Sequence, residues 1–198
     1  MFTGIIETTG IITDIQESGS NLTFLISSPI SDELKPDQSV AHDGVCLTVE
    51  EVNDEGYRVT AVAETLSKTT LATWEKGKSV NLERCLMMPA RLDGHIVLGH
   101  VDAIGTCLSA EEIGGSWIFR IGYPAGFAAL LVEKGSVSLN GISLTVFNVL
   151  ENEFSVTVIP YTYSHTTMKW LLPGHKINLE FDILGKYVQR NLLIQQRP

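Results

Sequence analysis

DGVCLTVEEV (43–52) and NGISLTVFNV (140–149) are one phrase written twice. Gly44 and Gly141 stand 97 positions apart (141 − 44), and neighbouring blocks keep that offset. SVAHDGVCLTVEEV (39–52) aligns with SVSLNGISLTVFNV (136–149), ETLSKTTL (64–71) with YTYSHTTM (161–168), and KGKSVNLE (76–83) with PGHKINLE (173–180). GIIETTG (4–10) pairs with GHVDAIG (99–105) at an offset of 95, so the first copy carries two extra residues. Several blocks in one order at one spacing identify a tandem duplication. The expected division is 1–97 and 98–182, with a tail at 183–198.

Within each half, short β-patterned runs alternate with turn residues, about one turn every 8–12 residues. LTFLIS (22–27), YRVTAVA (57–63), SWIFRIG (116–122) and FSVTVI (154–159) are rich in β-branched and aromatic residues. One short helix is expected before each SV strand: FAALLVEK (127–134), after Pro124 and stopping at Gly135, and SDELK (31–35), ending at Pro36. Roughly six strands in about 90 residues point to a small closed barrel, because closure removes exposed edges. In the tail, FDILGKYVQRNLLIQQ places Ile183, Leu184, Tyr187, Val188 and Leu192 at helical spacing behind Asp182, a suitable cap. An apolar helix that follows two finished barrels needs a cover: either its own barrels or, the favoured reading, copies of itself in an oligomer.

Composition narrows the function classes. A formal net charge of −9 and the lack of a Lys/Arg cluster argue against a nucleic-acid partner. Three cysteines, Cys46, Cys85 and Cys107, are odd in number and far apart, which fits a reducing compartment and no disulfide framework. MFTGII offers no signal-peptide features, and the run FAALLV (127–132) is far short of the about 20 residues that cross a bilayer. The expectation is a soluble, cytoplasmic protein with no membrane partner.

The repeated strand carries the chemical clue. In GVCLTV (44–49), Val45, Leu47 and Val49 point one way, and Cys46 and Thr48 the other. The second face is small, polar and uncharged, and Ser143 and Thr145 repeat it in the second half. Small groups beside a glycine leave room for something flat to approach the backbone, so one ligand site per barrel is expected. Free cysteine is also a common, inert core residue, and Cys46 taken alone fits that reading equally. In RLDGHIVLGHVDAIG (91–105), His95 and His100 lack the spacing of a helical metal pair, and no cluster of further ligands accompanies them. Cys46 and His42 occur in the first half only, and His100 and Lys134 in the second. Matched pockets with unequal reactive groups fit a reaction between two copies of one substrate held in different roles.

The opening MFTGII, the repeated G-x-[CS]-LTV and the linking GHIVLGHVD resemble the alpha-chain riboflavin synthase family, over residues 1 to about 190. The resemblance implies an all-β fold: a tandem of two six-stranded antiparallel Greek-key barrels followed by a C-terminal α-helix that gathers three chains into a homotrimer. It also implies a cofactor-free and metal-free dismutation in which two molecules of 6,7-dimethyl-8-ribityllumazine exchange a four-carbon unit. Each site is expected between the first barrel of one chain and the second barrel of its neighbour.

Carried over by motif, the first-barrel pocket takes Gly4, Ile5, Ile6, Cys46, Leu47, Thr48, Thr60, Ala61, Val62, Ala63, Glu64 and Thr65. The second takes Gly99, His100, Val101, Lys134, Ser143, Leu144, Thr145, Thr157, Val158, Ile159, Pro160, Tyr161 and Thr162. Ser39, Cys46, His95 and His100 match the residues that the family assigns to catalysis. Tyr161 departs from the pattern, standing where the family often has Glu or His. A rival reading is a non-catalytic lumazine- or flavin-binding fluorescent protein of the same fold, which lacks the reactive residues.

Overall fold

The structure, a computed structural model, describes residues 1–87 and 89–195. Strands β1 (Thr8–Ser18), β2 (Asn21–Ser27), β3 (Ser39–His42), β4 (Val45–Asn53), β5 (Gly56–Ala61) and β6 (Ser79–Arg84) close a barrel in the order β1-β2-β5-β4-β3-β6. Strands β7 (Ala103–Ile113), β8 (Ser116–Gly122), β9 (Ser136–Leu139), β10 (Ile142–Phe147), β11 (Glu153–Val158) and β12 (Lys176–Phe181) close a second barrel in the same cyclic order. All pairings are antiparallel. Alternation fills each lumen with apolar side chains, among them Phe24, Val59 and Leu82 in the first and Phe119, Val156 and Phe181 in the second.

The repeated phrase builds a tight hairpin in both halves. His42 pairs with Val45 and Leu139 with Ile142, leaving two-residue turns, Asp43-Gly44 and Asn140-Gly141, with all four residues at positive φ. That geometry favours Asn or Asp followed by Gly and matches the twist of the flanking strands. The two turn tips then meet: a Cβ on Gly44 would lie 2.6 Å from the Gly141 nitrogen, so neither glycine can be replaced without parting the barrels.

Two expected helices are shorter and tighter than the sequence suggests. FAALLVEK is a 3-10 turn over Ala125–Leu130, and SDELK one over Ser31–Glu33. Leu130, Leu131 and Leu34 must enter the core, and a longer helix would carry them away from it. Gly135 therefore ends no helix and leads straight into β9.

Each half also has a helix that the residue pattern did not reveal, α1 (Ala63–Lys68) and α2 (Pro160–His165), each running into a 3-10 turn. Thr69 and Thr166 stitch these pieces together, donating to Thr65 and Thr162 carbonyls (both 2.7 Å) and accepting from Leu71 and Met168 amides (both 3.3 Å). The tail forms helix α3 (Ile183–Gln195), started by the Asp182 side chain, which accepts from the Leu184 amide at 2.9 Å. The last three positions of the expected tail, 196–198, lie outside the described residues.

Candidate functional site

On β4 the core face is as expected: Val45, Leu47 and Val49 are buried, whereas Cys46 is half-buried and Thr48 exposed. What approaches the small face is the chain itself. The Cys46 amide donates to the Gly99 carbonyl at 2.9 Å, and the Ser143 amide donates to the Gly4 carbonyl at 2.8 Å. A Cβ on Gly99 would sit 2.6 Å from the Cys46 Cβ, and one on Gly4 equally close to the Ser143 Cβ. Glycine stands at 4 and 99 because any side chain there would collide with the strand it docks on.

This docking corrects the grouping of the pocket residues. Gly4, Ile5 and Ile6 belong with the second barrel rather than the first: Gly4 bonds Ser143, and Ile6 packs on the second core. Gly99, His100 and Val101 belong with the first: Gly99 bonds Cys46, and Val101 packs on the first core. The two segments run side by side before they cross, joined by Phe2 and Val97 amide–carbonyl bonds of 2.7 and 3.1 Å. Each turn hangs on a buried carboxylate from a barrel strand, Glu83 under Thr3 and Gly4, and Glu180 under Leu98, Gly99 and His100. Neither glutamate was singled out from the sequence. The available signal was the triplet NLE, identical at 81–83 and 178–180, which puts a charge inside an apolar strand.

The first-barrel face consists of Cys46 and Thr48 on β4, Thr60 at the end of β5, and the start of α1. Thr60 lies 2.8 Å from the Thr23 hydroxyl and donates to the Glu50 carboxylate at 3.0 Å. Val62, Ala63 and Glu64 are exposed and Thr65 half-buried, whereas Ala61 and Leu47 face the core and can offer only backbone. Burial pushes the Cys46 thiol above its ordinary value, against a hydrogen bond from Ser39 that favours the thiolate, so at neutral pH the group is a thiol. Ser39 lines a groove of about 800 Å³ shared with Thr3, Ile5, Glu83 and Cys85.

His42 takes no part here. It is fully buried, its Nε2 lies 2.8 Å from the Tyr57 hydroxyl, and burial lowers its pKa to about 4.

The second-barrel face carries Ser143 and Thr145 on β10, and Lys134 reaches over the Phe147 ring at 5.4 Å from its centroid. His95 lies here too: its Nδ1 is 2.7 Å from the Ser143 Oγ. Burial holds the His95 pKa below the usual histidine value, opposed by the charge of Asp182. Its Nε2 has no hydrogen-bond partner among the described residues. Asp182, expected only as a helix cap, also acts on His95 through its charge.

Leu144 is half-buried, Val158 faces the core, and Thr157, Ile159, Pro160 and Tyr161 are exposed, with Thr162 half-buried at the start of α2. Residues 63–65 and 160–162 thus sit on helix starts, not on a closing strand. Tyr161 stacks on His165 at 4.1 Å, and Trp117 stacks on Tyr163 at 3.7 Å, so this site has an aromatic wall where the first has aliphatic Leu22 and Leu66. The four residues expected to be catalytic therefore separate: Ser39 and Cys46 stand on the first barrel, the turn that holds His100 docks there through Gly99, and His95 attends the second. A groove of about 700 Å³ between the barrels, beside Trp170 and His175, holds none of the expected residues.

Comparison with known proteins agrees with this duplicated geometry. The sequence matches the lumazine binding domain twice, over residues 3–85 and 98–182. A riboflavin synthase of Photobacterium phosphoreum is 38% identical across 99% of this chain and 91% of its own length. Those of Bacillus subtilis and Mycobacterium bovis are 36% and 38% identical, across 97% and 96% of this chain and 90% and 97% of theirs. Among solved structures, LumP complexed with riboflavin superposes with a TM-score of 0.86 at 20% identity, covering 91% of this chain and 99% of its own, which is a likeness of fold. Two lumazine-binding domains in tandem, matched end to end by these relatives, make this chain a member of the riboflavin synthase family.

Proposed function

We propose that the chain converts two molecules of 6,7-dimethyl-8-ribityllumazine into riboflavin and 5-amino-6-ribitylaminouracil, moving a four-carbon unit from one to the other. The observation that carries this reading is the pair of matched faces with unequal chemistry: a thiol with Ser39 in the first barrel, and a hydroxyl with a buried histidine in the second. A dismutation needs that inequality, because one molecule gives and its twin receives.

The donor loses a proton from its 7-methyl group, whose anion delocalises into the pyrimidine carbonyls. His95, kept neutral by burial, is the fitting acceptor through Ser143: its Nδ1 meets the Ser143 hydroxyl while its Nε2 is closed off from solvent, so the hydroxyl passes the proton on. Thr48, Thr145 and backbone amides hold ring carbonyls and stabilise the anion. Cys46 acts at the acceptor ring, and as a neutral thiol it must give up its proton as it attacks or serve as a donor. Stacking two rings in one site supplies much of the acceleration through proximity.

Domain limits of 1–97 and 98–182, a cytoplasmic location and a homotrimer belong to the same proposal. Among the described residues no helix is long and apolar enough to cross a membrane. The apolar side of α3 supports the trimer: its Leu184, Tyr187, Val188, Leu192 and Ile194 are exposed and suit a contact between chains. Joining chains there lets one chain's first barrel face its neighbour's second.

The deciding experiment incubates the purified protein with the lumazine alone and follows the absorbance of riboflavin. Formation of one riboflavin per two lumazines consumed is expected. Binding without product would leave the carrier reading suggested by the LumP fold, and no binding would overturn both.

A further inference from the structure

Glu83 and Glu180 are one residue of the repeat, near the ends of β6 and β12, with 4% and 2% of their surface exposed. A buried carboxylate is costly unless its oxygens are satisfied, and among the described residues neither glutamate makes an ion pair. Backbone amides satisfy them instead. Glu83 accepts from the Thr3 amide and hydroxyl (both 2.6 Å) and the Gly4 amide (3.0 Å). Glu180 accepts from the Leu98 (2.6 Å), Gly99 (2.9 Å) and His100 (2.9 Å) amides.

The segment that each carboxylate holds serves the opposite barrel. Glu180 stands in the second barrel, and the turn it grips presents the Gly99 carbonyl to Cys46, with His100 next in that turn. Glu83 stands in the first barrel, and the turn it grips presents the Gly4 carbonyl to Ser143. We propose that Glu180 is the positioning residue of the first-barrel site and Glu83 that of the second, so each site is completed by a carboxylate of the other barrel. Both act through the backbone they hold, and Glu83 also borders the groove that Ser39 lines. The role rests on reading the two faces as ligand sites, and it adds which carboxylate governs which.

Glutamine in place of either glutamate keeps the shape but turns an amide donor towards at least one backbone N–H. The test measures Cys46 alkylation by iodoacetamide, resolved by peptide from exposed Cys85 and buried Cys107, together with riboflavin titration and turnover of the lumazine. Glu180→Gln should speed Cys46 labelling about tenfold, the effect of losing one hydrogen bond to a charged group, and Glu83→Gln should leave it at the parent rate. The parent should bind two riboflavins per chain, and each variant should weaken one of them while turnover falls about 100-fold.

Equal labelling of Cys46 in both variants, or faster labelling in Glu83→Gln alone, would overturn the crossed assignment. If either variant fails to fold, Thr3→Val, which removes one of Glu83's three bonds, should weaken one riboflavin site with Cys46 labelling unchanged, and faster labelling there would count against the assignment. A parent that binds no riboflavin while Glu180→Gln still exposes Cys46 would sink the ligand reading and leave the positioning role standing.

Discussion

Asp43 and Asn140 hold the same turn position in the two hairpins and make the same bond, accepting from the Asn81 and Asn178 amides at 2.8 and 2.9 Å. Only Asp43 can carry a charge, and burial raises its pKa from 3.8 to about 7, against the Asn81 bond and the pull of Lys78. The folded chain therefore holds a proton across that window that the unfolded chain releases, so stability falls as pH rises from about 4 to about 7. Asp43→Asn should abolish this slope: urea curves of variant and parent should coincide at pH 4, and at pH 8 the variant should be firmer by at most about 4 kcal/mol. An unchanged slope would place the cost elsewhere. Cys46→Ser copies the second barrel's own residue into the first. Its kcat should fall about 100-fold with KM moving less than about threefold, measured by lumazine consumption, and unchanged turnover would make Cys46 a packing residue. Both positions were visible in the repeated phrase as a matched pair of unlike groups. That His42 would be a core partner of Tyr57 was not, because a four-residue strand does not announce which of its faces points inward.

Helix α3 shows what an element owes to its pattern. Its apolar spacing and Asp182 cap were legible because 13 residues span more than three turns. Its inner side rests on the 125–130 turn, with Gly185 beside Leu130, and Lys186 pairs with Asp102 at 2.6 Å. Leu184 and Val188 remain outside, one turn apart on the same side. Replacing both with glutamate should convert the proposed trimer to monomers in sedimentation and abolish turnover, with the far-UV signature of the barrels retained. A parent that sediments as a monomer would defeat the trimer reading. Helices α1 and α2 were missed for the opposite reason. Six residues form less than two turns, too few to print a 3.6-residue period, and threonine-rich flanks read as strand. The hint was Pro160, well placed for the first helical position.

At the scale of the molecule, the barrels are bolted together by the same two asparagines from each side. Asn178 gives its amide to the Asp43 carbonyl at 3.0 Å and accepts from the Thr70 amide at 2.8 Å. Asn81 does the same with Asn140 and Thr167, at 3.0 and 2.8 Å. These bonds flank the contact of Gly44 with Gly141, so the halves should unfold as one unit. Asn178→Ala leaves two buried groups unpaired and should cost about 2–4 kcal/mol. In urea, fluorescence of Trp74 in the first core and Trp117 in the second barrel should report one transition in the parent. Resolved transitions in the parent would show that the bolts do not couple the barrels.

Two barrels, their strand phases, the turn glycines and the capped tail were determined by the sequence alone, because they follow from contacts between neighbours and from spacing that is repeated in the chain. Only the tertiary structure decided which barrel each glycine turn completes. Gly4 reaches Ser143 and Gly99 reaches Cys46 across the interface, held by glutamates more than 75 positions away in the chain (83 − 4 and 180 − 99). The two halves offer nearly identical docking strands, so local pattern fits either partner. The choice lies in the geometry of the packed pair, where Phe2 and Val97 join the two segments and each passes on to the far side.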